Sequence, residues 1–161
     1  EKVPRRNVHK HLIEKNALSL KEIARLKEGD DVEREGGEML KCAEFTYLPF
    51  VPRSFAYCSD TAPFPLLAQW VSGVDLLYHE ATFLEDNLRT AKMTFHSTAK
   101  QAATVALRAK VGKLLMGHFS SRYRDLELYL LEAKEIFEES YVAREGMVIE
   151  IINKKNEQDE K

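Results

Sequence analysis

Hydrophobic positions in the second part of the chain come in short runs, and each run gives out into a polar island. Ser54-Phe55-Ala56-Tyr57-Cys58 reads as a short buried strand that exits into Ser59-Asp60-Thr61. Residues 75–78 read as a second buried strand, ending at His79-Glu80-Ala81-Thr82, and 113–116 as a third, ending at Gly117-His118-Phe119-Ser120-Ser121-Arg122-Tyr123. Helical spacing fills the gaps. Residues 63–71 predict a helix with proline near its first turn and a Ser72-Gly73 stop, and 98–109 predict a second, which Ser97 or Thr98 can cap. Residues 126–137 predict a last amphipathic helix, and 141–143 and 147–152 two strands around a Glu145-Gly146 turn. Strand and helix in turn predict a layered α/β fold.

The first part of the chain follows a different pattern. Residues 1–36 are polar, with a cationic cluster of Arg5, Arg6, His9, Lys10, His11 and Lys15 and a helical spacing of Ile13, Leu18, Leu20, Ile23 and Leu26 that stops at Glu28-Gly29. Residues 30–37 predict a charged turn with a glycine pair. Pro49 and Pro52 limit 45–51 to an edge or irregular strand. The expected organisation is an arm and turn over 1–36, a main domain over 37–152 and a charged tail over 153–161.

Composition narrows the classes. With 161 residues, 44% hydrophobic and 31% charged, the chain can build one ordinary core but not two comfortable ones. A net charge of -2 excludes a strongly basic protein while leaving room for a local basic patch. Two cysteines, Cys42 and Cys58, are too few for a disulfide framework or a zinc-thiolate cluster; Cys58 reads as a small buried strand residue, and a reducing cytoplasm is the expected location. No run reaches the length of a membrane span, and the start is not followed by a signal-peptide apolar region. The chain begins at Glu1 rather than Met, which reads as a processed or excised piece.

The chemistry lies in the islands. In layered α/β folds, side chains just beyond the carboxyl ends of buried strands converge on one sheet edge, and Asp60, His79, Glu80 and His118 all occupy such exits. His96 precedes a helix start, where unpaired N–H groups favour a bound phosphate. Each island has a plainer reading: Ser59-Asp60-Thr61 as a turn and cap, His79 as a core histidine with Glu80 paired to a nearby cation, His96-Ser97-Thr98 as an N-cap, and Arg122 and Tyr123 as cover for the last helix. Joint placement of ligand-type side chains at strand exits favours a metal-assisted hydrolase site over four independent caps.

At these residues the chain resembles a known family. Ser59-Asp60-Thr61, Leu76-Leu77-Tyr78-His79-Glu80-Ala81-Thr82-Phe83, His96-Ser97-Thr98-Ala99-Lys100-Gln101-Ala102-Ala103, Gly117-His118-Phe119-Ser120-Ser121-Arg122-Tyr123 and Ala143-Arg144-Glu145-Gly146-Met147, in that order and spacing, look like the C-terminal half of ribonuclease Z. That family comprises the tRNA 3′-processing endonucleases of the metallo-β-lactamase superfamily. The resemblance implies half of a four-layer α/β/β/α sandwich and a zinc-dependent endoribonuclease that removes the 3′ trailer from precursor tRNA. It implies that Asp60 bridges two zinc ions, that His118 binds one of them, and that Glu80 and His96 pair to deliver a proton to the leaving oxygen. It further implies a homodimer and a tRNA-binding arm, for which Arg5, Arg6 and Lys10 are candidates. Ser120, Ser121 and Arg122 are our own candidates for contacts to a substrate phosphate.

The chain departs from the family in two places. The His-x-His-x-Asp-His motif and a further histidine ligand are absent; His9-Lys10-His11 has the first spacing, but Leu12 and Ile13 follow. Two recognised ligands cannot complete a coordination sphere for two zincs, so an N-terminal half of the same enzyme is the expected partner, and this chain alone is expected to be inactive. The glycine- and proline-rich signature common in the family's arm is also missing, which points to a shortened or divergent arm. Other readings are a different metallo-β-lactamase-fold phosphodiesterase and a noncatalytic half that binds RNA or a partner chain.

Overall fold

The computed structural model describes residues 2–155, which divide into two compact units, one of residues 2–52 with 152–155 and one of 53–151. The expected boundary at residues 36 and 37 falls inside the first unit, on the glycine turn of a hairpin.

The first unit begins with β1 (Asn7–Val8) and α1 (Lys10–Lys15), followed by α2 (Leu20–Glu28). The single helical spacing expected over 13–26 is therefore broken: Ala17 adopts a left-handed φ of 46° and Ser19 starts α2 afresh with a capping box, its hydroxyl accepting from the Glu22 N–H and Glu22 accepting from the Ser19 N–H. Leu20 is exposed, outside the buried face that Leu26 leads. Strands β2 (Val32–Glu33) and β3 (Met39–Leu40) form the hairpin around the glycine pair. A one-turn helix α3 (Cys42–Phe45), β4 (Thr46–Tyr47), which pairs with β1, and β5 (Phe50–Val51) complete this stretch. Val8, Leu18, Leu26, Val32, Leu40, Cys42 and Phe45 form its core.

The second unit is a four-stranded parallel sheet in the order β6 (Phe55–Cys58), β7 (Leu76–Glu80), β8 (Lys113–Gly117) and β9 (Ser140–Val142). The connections carry α4 (Leu67–Trp70), then α5 (Leu88–Thr94) and α6 (Ala99–Ala109), then α7 (Glu127–Lys134). Alternation along each strand assigns the faces. Ala56, Cys58, Leu77, Leu114, Met116 and Val142 join Ala99, Ala102, Ala103 and Ala106 of α6 in the core. The small alanine face lets α6 lie close to the sheet.

Several local expectations need correction. Residues 55–58 are not a buried strand: β6 is an edge strand, with Phe55 and Tyr57 56% and 64% exposed on the face that the helices leave open, and Cys58 is half-buried while Cys42 is the buried cysteine. The helix expected from residue 63 starts only at Leu67, because Pro63 and Pro65 have no N–H to give and restrict the residues before them. Residues 147–151 form no strand: after the turn at Gly146, Val148 stands exposed, and among the described residues no strand pairs with the outer edge of β9. Helix α5 is an addition to the expected elements, since Ala91 is its one buried residue and leaves little periodicity to read.

The chain then returns to the first unit, where β10 (Lys154–Lys155) pairs antiparallel with β5. The expected charged tail lies outside the described residues from 156 onward. Among the described residues no helix is long and apolar enough to cross a membrane.

Candidate active site

Because the four strands run parallel, their carboxyl ends lie along one edge, and Asp60, Glu80 and His118 follow or end β6, β7 and β8 there. The strand order runs in sequence with no reversal, so the strand exits themselves, not a switch point, gather these side chains. Asp60 and His118 both sit in the left-handed region, with φ of 49° and 59°. That conformation is costly for residues with a Cβ, and it turns the chain sharply at the two exits. His118 Nε2 lies 3.2 Å from Asp60 Oδ1.

Glu80 is fully buried at the end of β7, and both of its oxygens are used. Oε1 accepts from the Thr61 N–H at 3.1 Å and from His96 Nδ1 at 2.8 Å. Oε2 accepts from the Thr82 N–H at 3.0 Å and the Thr82 hydroxyl at 2.8 Å. This carboxylate therefore pairs with His96, not with a lysine or arginine. The His96 and His118 rings lie 5.3 Å apart between centroids, and Thr82 Oγ1 is 2.9 Å from His118 Nδ1.

His96 is held by its surroundings on both sides. Its N–H donates to Ala91 at the end of α5, where Phe95 takes a left-handed φ of 59°. After it, the buried Ser97 hydroxyl donates to the Thr61 carbonyl at 2.6 Å, and Thr98, not Ser97, caps α6 in a box with Gln101. At this helix start the Ala99 N–H donates to the Phe83 carbonyl and the Gln101 N–H to Thr98 Oγ1, so these two groups already have partners within the chain. His79 points to the helix-covered face, with Nδ1 2.7 Å from the Glu80 carbonyl oxygen and Nε2 buried without a partner; burial pushes its pKa down, so it stands neutral.

Of the remaining candidates, Ser120 donates its N–H to the Thr82 carbonyl and accepts the Arg122 N–H on its hydroxyl. The exposed Arg122 guanidinium lies 6.0 Å over the Phe83 ring. Arg5 and Arg6 line a surface depression of the first unit with Lys27, and Arg6 donates to the Thr46 hydroxyl; Lys10, exposed, opens α1. Thr61 and Thr82, which hold Glu80, carry no signal of their own in the sequence, although both belong to the polar islands.

Asp60, His96 and His118 each offer a ligand atom within 4.8 Å of the others, which among the described residues is the group able to hold a metal ion. A carboxylate and two imidazoles suit zinc, and also manganese or iron. His96 Nδ1 is committed to Glu80 and His118 Nδ1 to Thr82, so each ring keeps Nε2 for a further partner. The residues present thus fit a metal but supply fewer donors than a closed site needs.

No protein-family model matches the chain. Among solved structures, the metallo-β-lactamase fold protein YhfI from Bacillus subtilis is similar with a TM-score of 0.54 and 25% identity, over 58% of this chain and 38% of that one. Parallel sheet and helical cover, with a group at the strand exits that could hold a metal, define a protein of the metallo-β-lactamase fold, of which this chain holds a part. Ribonuclease Z of Cytophaga hutchinsonii is 51% identical over 130 residues, 80% of this chain and 42% of that protein. Ribonuclease Z of Bacteroides fragilis strain YCH46 is 40% identical over 151 residues, 94% of this chain and 50% of the relative. The chain belongs to the ribonuclease Z family, and it spans about half the length of these curated relatives.

Proposed function

We propose that this chain supplies the C-terminal half of the site of a zinc-dependent endoribonuclease that removes the 3′ trailer from precursor tRNA. The observation that carries this reading is the convergence of two pairs, Asp60 with His118 and Glu80 with His96, at neighbouring strand exits. The kinship with ribonuclease Z supports it. Asp60 and His118 would hold the metal, with the remaining donors coming from the part of the relatives' length that this chain does not span.

Zinc, when bound, supplies the Lewis acidity that polarises a phosphoryl oxygen and lowers the pKa of a water. The chain's own residues supply orientation and proton transfer. Glu80 receives the Nδ1–H of His96, which leaves Nε2 to carry a proton to the leaving oxygen, so that the tRNA departs with a 3′-hydroxyl. The Ser120 hydroxyl and the Arg122 guanidinium would take phosphate oxygens, Arg122 being set over Phe83, whose ring centroid is 6.3 Å from that of His96. Arg5, Arg6 and Lys10 would contact the tRNA backbone, and their attraction would weaken with salt. The exposed Phe55 and Tyr57 on the uncovered sheet face suit burial by the second half of the sandwich. The working enzyme is a homodimer in the cytoplasm.

The test uses the complete protein with a precursor tRNA carrying a 3′ trailer, followed by gel analysis of the products and by zinc content. Asp60→Ala and His118→Ala should each lower zinc content and abolish cleavage. Full cleavage with either variant overturns the zinc assignment.

A further inference from the structure

Thr82 shares its side-chain hydroxyl between the two pairs of the site, with Glu80 of one and His118 of the other, and its single proton decides how. Glu80 Oε2, as a carboxylate, can only accept, so the Thr82 hydroxyl at 2.8 Å must donate to it. That proton is then spent. The contact of 2.9 Å between Thr82 Oγ1 and His118 Nδ1 can only be completed by a proton on Nδ1, donated to the hydroxyl oxygen. A neutral imidazole carrying its proton on Nδ1 keeps the lone pair on Nε2, the nitrogen 3.2 Å from Asp60 Oδ1. The opposite tautomer would have an attraction of its own, because Nε2–H could donate to Asp60. Thr82 therefore acts against a competing hydrogen bond that would close the ligand face of His118.

The rest of Thr82 is fixed to make this possible. Its N–H also donates to Glu80 Oε2 at 3.0 Å, and its carbonyl accepts from the Ser120 N–H at 3.0 Å and from the hydroxyl of the fully buried Tyr129 at 2.9 Å. Every polar atom of the residue has a partner, so the hydroxyl has one direction to give its proton and one to receive.

We infer that Thr82 is a positioning residue that sets the tautomer of His118, holding Nε2 open toward Asp60 for a metal ion while tying His118 to the carboxylate that orients His96. The metal clause rests on the proposed function; the tautomer clause does not.

Two measurements on the complete protein test them separately. Long-range nitrogen-15 correlation of the histidine side chains in the metal-free protein, with the His118 signals assigned by their loss in His118→Gln, should report Nδ1–H in the wild type. Thr82→Val removes the hydroxyl at constant shape and should move His118 to Nε2–H, while Thr82→Ser restores Nδ1–H. Zinc competition with a chromophoric chelator should show Thr82→Val weakened about 10- to 100-fold, with Thr82→Ser close to wild type. A wild-type His118 found as Nε2–H overturns the inference directly, even where no Thr82 variant folds. An unchanged tautomer in Thr82→Val, or a serine variant that behaves like valine, also overturns it. Unchanged zinc affinity in His118→Ala instead overturns the metal reading beneath it, and does so without touching Thr82.

Discussion

Glu80 Oε1 and His96 Nδ1 lie 2.8 Å apart, and the same carboxylate accepts backbone N–H groups on each oxygen, Thr61 on Oε1 and Thr82 on Oε2. This geometry makes Glu80→Gln an informative variant. Whichever way the amide turns, its NH2 group faces a backbone donor that cannot move away. The variant should lose about 1–3 kcal/mol in stability through an opposed buried donor, read as a lower denaturant midpoint. It should also lose the orientation of His96, lowering cleavage of a trailer-bearing tRNA about 10²- to 10⁴-fold in the complete protein. A midpoint equal to wild type would refute the geometry.

The left-handed backbone at Asp60 and His118 predicts a trade between stability and site chemistry. Both side chains are largely solvent-accessible and their mutual pair adds little to folding. Replacing either by Ala keeps the strain, while Gly relieves it. Asp60→Gly and His118→Gly should therefore each be more stable than the matching Ala variant by about 1–2 kcal/mol, measured by thermal or urea unfolding. Equal stability of Gly and Ala at both positions would mean that the turns carry no strain.

The parts of this fold that are legible in the sequence are those in which one local rule acts alone. Strand β7 is readable because Leu76-Leu77-Tyr78 make one short apolar run, and helix α6 because its buried alanines repeat with a helical period and Thr98 with Gln101 spells a capping box. The islands can be recognised as a site because Asp60, Glu80 and His118 follow such runs directly. Exposure is not legible at β6: Phe55 and Tyr57 are as apolar as core residues, and only the sheet order makes their face open. At the start of α6 the partner of the Ala99 N–H, the Phe83 carbonyl, is not legible because it comes from a different segment. Thr82 escapes notice for the same reason, since its two decisive contacts, to Glu80 and His118, are one near and one distant in sequence.

Gly117 ends β8 where a methyl group would collide with the ring and hydroxyl of Tyr78, which is stacked on Tyr57 with centroids 4.5 Å apart. Gly112 leaves no such room either, but there the obstacle is the Asp75 carbonyl oxygen, 2.6 Å from where a Cβ would stand. Each substitution should cost about 1–3 kcal/mol, more at Gly112, where the obstacle is backbone, and the two should respond differently to a second change. Tyr78→Ala should recover most of the loss from Gly117→Ala in a double-mutant cycle. No side-chain truncation should recover Gly112→Ala. Additive losses for Gly117→Ala and Tyr78→Ala would show that the ring is not what excludes a side chain at this position.

Acid should act on the two units in different windows. His79 has its pKa lowered from 6.5 by burial, so as the pH falls below 6.5 the unfolded chain takes up a proton that the folded second unit refuses. Stability of that unit should be full above pH 6.5 and decline below it. Glu22 in the first unit is held at about 2, below the ordinary 4.5, chiefly by the Arg34 guanidinium and then by Ser19. Its contribution is present above pH 4.5 and is lost as the pH falls toward about 2. Amide hydrogen exchange followed segment by segment should therefore show β7 and α6 losing protection between pH 6.5 and 4.5, while α2 holds until lower pH. His79→Leu should flatten the first decline, and Arg34→Met should shift the second toward pH 4.5. Protection of β7 that stays constant across the upper window in the wild type would show that His79 does not govern it.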